Sequence, residues 1–269
     1  SRFHLACLSP DSFPDLKSGA FSHQFSLPAA TLRELIERTQ FAISNEETRY
    51  YLNGIYVHTL DVDKQPVLRA VATDGHRMAR AETEAPEGSR GMPGIIIPKK
   101  TVGEVQKLLD GAEGDVNIEI SDTKIRFTLG GVVLLSKLIE GTFPDYDRVT
   151  PKNNDKQLTV DRASFATAVD RVSTIASDRG GKAVKLSVKD GNLELSVTNP
   201  DHGTATEEVA VEFEPETFEI GFNAKYLLDI IGQIKSDNAV FLFNDAGSPT
   251  LVKEDGYAKA IYVLMPMRV

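Results

Sequence analysis

Apolar residues recur at three- and four-residue spacing in four stretches of the chain, and this predicts four amphipathic helices. Over 31–43 the stripe is Leu32, Leu35, Ile36 and Ile43. Over 98–110 it is Val102, Val105, Leu108 and Leu109, with Pro98 near the start, where a missing N–H costs little. Over 161–176 it is Phe165, Val169, Val172 and Ile175, behind Asp161 as N-cap. Over 222–235 it is Leu227, Ile230, Ile231 and Ile234, after Asn223. Short alternating segments fill the gaps with the two-residue period of strands. VKDGNLELSV places an Asp190-Gly191 turn between two strand-like runs, a strong hairpin signal, and SDTKIRFTLGGVVLLSKLIE reads as two strands joined at Gly130-Gly131.

The pattern repeats. The first and third helices start about 130 positions apart and the second and fourth about 125 apart, a period that means duplicated domains and not a solenoid. VLRAVATDGHRM and NLELSVTNPDHG fall at the same place in each half. The expected fold is therefore α+β: two tandem copies of one domain, each with two helices packed together on antiparallel sheets. The polar, proline-containing stretch FPDYDRVTPKNNDKQ separates them.

A length of 269 residues suits two domains, and 41% hydrophobic with 26% charged residues is a globular composition. No apolar run is long enough to span a membrane, and the first residues, SRFHLACLSPDSFPDL, lack a charged-then-apolar signal pattern. The single cysteine, Cys7, fits a reducing cytoplasm, and five scattered histidines offer no metal-ligand spacing, so neither metal nor cofactor is expected. The net charge of −9 argues against general wrapping of nucleic acid. Yet the helical segments hold nine basic residues, Arg33, Arg38, Lys99, Lys100, Lys107, Arg162, Arg171, Lys225 and Lys235, against seven acidic ones. Strands and loops thus carry all of the negative excess. Two explanations stand: ordinary solvated helix faces, or a helical layer that faces a polyanion.

One segment invites a catalytic reading. In VATDGHRMAR, the side chains of Asp74, His76 and Arg77 are acid–base groups, and a hydrolase or transferase using this loop is one alternative function, a non-DNA interaction scaffold the other. No nucleophile elbow, phosphate-binding glycine loop or metalloprotease helix accompanies it, and Asp74-Gly75 is also a plain turn signal. Gly180-Gly181 is weaker still. The final residues, YVLMPMRV, pose a different question. A β-type apolar run followed by two methionines is either a core strand or a binding surface whose flexible thioethers repack around different partners.

Four strings taken together carry a family resemblance: RYYLNG (49–54), VATDGHRMA (71–79), GTFPDYDRV (141–149) and YVLMPMRV. They closely resemble signature stretches of the bacterial DNA polymerase III β subunit family, the β sliding clamps, in order along the whole chain. The resemblance implies a non-enzymatic processivity factor that encircles double-stranded DNA without reading its sequence. It also implies a head-to-tail homodimer of three-domain chains, with helices lining the hole. On that basis residues 1–22 correspond to the tail of a first domain and its linker, 23–148 to the second clamp domain, and 149–269 to the third. A chain of this extent is expected to keep the partner-binding pocket but not to close the usual ring.

The resemblance further implies a hydrophobic pocket for Gln-Leu-x-Leu-Phe-type peptides of polymerases, the clamp loader and repair proteins. From the first half and the interdomain segment its walls would be Leu52, Thr73, Gly75, His76, Arg77, Met78, Pro144, Arg148 and Val149. The second half would add Asn223, Tyr226, Val263, Leu264, Met265, Pro266, Met267 and Arg268. His76 and Arg77 would be rim donors to the peptide. Gly181, in the loop SDRGGKA (177–183), stands where the family is expected to allow a larger side chain. The nine basic helix residues would face DNA. Tyr50 and Tyr51 match positions that can touch it, although core strand residues explain them equally well.

Overall fold

The computed structural model describes residues 1–12, 19–176, 182–189, 191–213 and 217–269. The first half runs β1 (His23–Pro28), α1 (Ala29–Gln40), β2 (Gly54–Val62), β3 (Gln65–Thr73), β4 (Arg77–Glu84), β5 (Ile95–Pro98), α2 (Lys99–Leu109), β6 (Asp115–Ile120), β7 (Lys124–Leu129) and β8 (Val132–Lys137). The second begins with β9 (Lys156–Asp161), α3 (Arg162–Ser173), β10 (Ala183–Lys189), β11 (Asn192–Asn199) and β12 (Gly203–Ala210). It continues through β13 (Glu212–Phe213), β14 (Thr217–Asn223), α4 (Ala224–Ile231), β15 (Asn238–Phe243), β16 (Thr250–Glu254) and β17 (Tyr257–Leu264). This is the α+β duplication that the periodicity predicts, and the repeat goes one level deeper.

Each half is itself a doubled unit, strand–helix–three-strand meander, written twice. The first strand of each unit completes the other unit's meander: β1 pairs with β6 and β5 with β2, just as β9 pairs with β15 and β14 with β10. Two four-stranded sheets result, β1-β6-β7-β8 and β12-β11-β10-β14. The remaining strands form one nine-stranded sheet in the order β13-β9-β15-β16-β17-β4-β3-β2-β5. That sheet crosses from one half to the other at a single seam, where β17 pairs antiparallel with β4 from Ala260↔Ala81 to Leu264↔Arg77. The apolar end of the chain is therefore a core strand that joins the halves.

Alternation sorts the two faces of this sheet. Ala70, Ala72, Ala79 and Ala81, all at 2% exposure or less, point toward α1, and their small size lets the helix lie close. Tyr262 and Leu264 continue that face in the second half, and the whole joins the main core. Val71, Met78, Ile96 and Val263 point the other way and form a second cluster with Leu52, Phe143 and Tyr146. The interdomain segment thus lies across the sheet face opposite the helices.

The hairpin strands β7 and β8 meet at Leu129↔Val132, as read from Gly130-Gly131. β10 and β11 pair with Lys189 opposite Asn192, while Asp190 of the predicted turn lies outside the described residues. The predicted cap forms, with Asp161 accepting from the Ser164 N–H at 2.8 Å, and Asn223 caps α4 in the same way, accepting from the Tyr226 N–H at 3.2 Å. Three helices end earlier than the apolar period suggests, leaving Ile43, Ile175 and Ile234 beyond them. These ends tighten into three-residue turns, such as Ile43 N–H to Gln40 C=O and Ile234 N–H to Ile231 C=O, so apolar residues stay packed after the α-helix has stopped. Among the described residues no helix is long and apolar enough to cross a membrane.

Candidate functional site

A cleft opens on the linker side of the β4–β17 seam. Its floor is Leu52, Met78 and Val263, its linker wall is Pro144, Asp145, Tyr146 and Val149, and Met265 closes one side. Arg49, Tyr51, Thr73, Gly75 and Arg77 complete it. Floor residues are almost fully buried, whereas Met265 is 40% and Val149 53% exposed, so the lip is apolar and open to solvent. Such a combination suits the docking of apolar side chains.

The loop before β4 is fixed by its own hydrogen bonds. Asp74 Oδ1 accepts from the backbone N–H groups of His76 and Arg77, at 2.9 and 3.0 Å, and Thr73 Oγ1 donates to Arg77 C=O at 2.7 Å. Gly75 takes φ +90°, and a Cβ there would stand 2.6 Å from Arg49 Nη1. The Asp74 carboxylate is therefore occupied in the turn and by Arg77, and it is not the partner that would orient His76 for catalysis. His76 is exposed and stacks on Tyr226 at 6.2 Å, and its carbonyl accepts from Met265 N–H at 2.9 Å.

Arg77 departs from its expected role as a rim donor. Its side chain is 6% exposed, and its Nε donates to Asp74 (3.1 Å), Nη1 to Asp229 (2.5 Å) and Nη2 to Phe41 C=O (2.8 Å). The guanidinium also lies over the rings of Tyr226 and Phe41. It clamps the loop, the end of α1 and α4 together, and lines the cleft as a fixed wall.

Leu52, Thr73, Gly75, Arg77, Met78, Pro144, Val149, Val263 and Met265 from the predicted set come together here. Leu264 does not: the strand alternation turns it into the main core at 0% exposure. Arg148, 85% exposed, borders an adjoining groove that shares Val149 and Met265 with the cleft. Asn223 is spent capping α4, beside Tyr226. Pro266, Met267 and the exposed Arg268 follow Met265, and Met267 N–H donates to Gly221 C=O at 2.8 Å, tying the chain end to β14. Gly181 lies outside the described residues. Sequence reasoning missed Arg49, Asp145 and Tyr146 as lining residues, although each stands inside a quoted string.

The expected DNA-facing set divides. Arg38 is a correction: at 2% exposure it is buried between the halves, held by Glu254 and Glu34, and cannot face a polyanion. Tyr51 lines the cleft, while its neighbour Tyr50 is 54% exposed in the same 3-10 turn (Tyr50–Leu52). Neither tyrosine is a strand residue. Lys99, Lys100, Lys107, Arg171, Lys225 and Lys235 are exposed, and Arg33 and Arg162 half-buried. Lys107, Arg171 and Lys225 pair with Glu104, Glu207 and Asp229. Among the described residues no three His, Cys, Asp or Glu side chains group as metal ligands.

Comparison with known proteins sets this geometry beside a large set of relatives. Residues 26–145 match the family profile described as DNA polymerase III beta subunit, central domain, and 147–268 match the C-terminal domain of the same subunit. The beta sliding clamp of Caulobacter vibrioides is 50% identical over 269 residues, covering 100% of this chain and 72% of that protein. A crystal structure of the Bartonella birtlesii sliding clamp, bound to griselimycin, superposes with a TM-score of 0.95 at 55% identity, over 99% of this chain and 72% of that one. The Pseudomonas aeruginosa clamp, solved with a ligand, gives 0.92 at 38% identity, with 100% and 72% covered.

Proposed function

The chain belongs to the DNA polymerase III β-subunit family, the bacterial β sliding clamps, and on that footing we propose that the cleft at the β4–β17 seam captures the short apolar peptides by which partners are tethered to DNA. It is a non-catalytic processivity factor of DNA replication, so its work is binding. The carrying observation is the pairing of a buried apolar floor (Leu52, Met78, Val263) with a half-exposed methionine lip at Met265. Thioether flexibility lets one lip repack around the leucines and aromatics of different partners: polymerase, clamp loader and repair proteins. The griselimycin bound to the Bartonella birtlesii clamp supports a ligand-taking surface in this family.

The clamp domains are taken as 23–148 and 149–269, and the full-length form would work as a head-to-tail homodimer around duplex DNA in the bacterial cytoplasm. The exposed lysines and arginines of the helical layer would meet phosphates without base readout, which suits sliding. Calorimetric titration with a Gln-Leu-x-Leu-Phe peptide tests the pocket. Binding at one site per chain is expected, and loss of binding when the peptide's Leu and Phe become Ala. A folded protein that binds neither peptide would overturn the proposal.

A further inference from the structure

The linker wall of the cleft is not part of any sheet. It is an irregular segment with one 3-10 turn, Tyr146–Arg148, and something must hold it against the sheet. A ladder of rings does so. Phe143 stacks on Tyr56 (4.9 Å, 5° between planes), Tyr56 on His58 (4.7 Å, 24°), and His58 Nε2 lies 2.9 Å from Tyr146 Oη. Arg69 Nη1 donates to the same Oη at 3.0 Å. Tyr56 and His58 project from β2 and Arg69 from β3, so two linker rings are gripped by two strands.

The proton inventory follows. Tyr146 Oη already accepts from Arg69, so its single hydrogen satisfies both rings when it points at an unprotonated Nε2 of His58. His58 is then neutral. Arg69, the register partner directly opposite on β3, favours that state, while Arg80 on β4, its Nε buried and unpartnered, interacts with Arg69 and Tyr146. Glu82 on β4 is engaged by Arg69 at 2.7 Å, and Asp147 on the linker is the remaining acid near the ring. Burial and Arg69 both push the His58 pKa down, against smaller opposing effects of the Thr59 backbone and Asp147. A proton on Nε2 would place two donors against Tyr146 Oη and displace its hydrogen from the only acceptor the ladder provides.

We infer that His58 and Tyr146 are positioning residues for the cleft, and that protonation of His58 loosens the linker wall and weakens peptide capture as the pH falls. The inference rests on the proposed peptide-binding role and gives that site a proton-linked regulation.

The test is the same titration of the full chain at about pH 7.5, 6.5 and 5.5. Wild-type affinity is expected to fall by about threefold to tenfold across this range, the worth of one hydrogen bond. His58→Gln keeps an acceptor for Tyr146 but takes no proton, so the slope disappears. Tyr146→Phe lowers affinity by about threefold at neutral pH, with the fold checked by circular dichroism. His76→Gln, at the lip, retains the slope. A slope that survives in His58→Gln, or vanishes in His76→Gln, overturns the inference, as does a flat wild-type profile with normal binding. Absence of peptide binding at every pH would instead remove the proposed function itself.

Discussion

Arg38 on α1 reaches through the junction of the two halves to Glu254 on β16, with 2.5 Å between Nη1 and Oε1 and both side chains at 5% exposure or less. Burial alone would disfavour the charge on Arg38. Hydrogen bonds with Glu254, Tyr262 and Glu34 outweigh it and hold the pKa above the ordinary arginine value. Tyr262 is likewise pushed up to about 12 by burial. Together with the Arg77–Asp229 pair, the Arg38–Glu254 pair ties side chains across halves that are also joined by the strand seam and the linker.

Arg38→Ala should therefore destabilise the protein by about 3 to 5 kcal/mol, because it leaves Glu254 buried without its cation. Replacing both partners by apolar residues, Arg38→Met with Glu254→Leu, should cost much less. Urea unfolding of the two variants checks this. Equal losses would mean that the pair contributes packing and no compensated charge.

Met265 and Tyr262, three residues apart, should respond in opposite ways. Met265 holds its place through its backbone bond to His76 and leaves its side chain at the lip. Met265→Asp should lower peptide affinity at least about tenfold while shifting the melting temperature by no more than about 2 °C. Tyr262→Ala should cost about 3 to 5 kcal/mol of stability, since it empties a fully buried site. Calorimetry and thermal unfolding on the same samples separate the two effects.

The DNA surface should depend on the start of α2. Lys99 and Lys100 are exposed and, among the described residues, neither is ion-paired, although Lys99 donates to Asn45 at 2.5 Å. Charge reversal of both should weaken binding to duplex DNA and lower the slope of log affinity against log salt by about 2. Fluorescence anisotropy over a salt series measures this. Arg38→Glu has no place in such a series, because its effect would be on folding.

Much of this was legible because it depends on period and spacing. The four apolar stripes, the cap Asp161 and the Gly130-Gly131 hairpin all follow from local rules that the packing leaves in force. The start of α1 was not, because Pro28 precedes it with no side-chain cap and the Ala29 N–H is satisfied by a distant carbonyl, Gly114. Arg38 was misplaced for a related reason. A basic residue on an amphipathic helix reads as solvated unless the reader knows that Glu254, 216 positions on, will meet it. The role of Tyr146 was also hidden, since its partners His58 and Arg69 converge only when β2, β3 and the linker are in place.

Stability itself should carry the signature of a histidine held neutral. The folded-state pKa of His58 lies below the ordinary value of about 6.5, chiefly through burial and then Arg69. Between those two values the unfolded chain binds the proton and the folded one does not, so stability rises with pH across that window. The contribution is complete above about pH 6.5 and is lost as the pH falls toward the folded-state value. For one proton the slope cannot exceed about 1.4 kcal/mol per pH unit. Urea unfolding of wild type and His58→Gln, compared at about pH 7.5 and 5.5, isolates it from the carboxylates common to both proteins. The wild type should lose more stability on acidification than the variant. Equal losses would mean that the His58 proton is shared by the folded and unfolded states, and the ring ladder would then hold the linker without reporting pH.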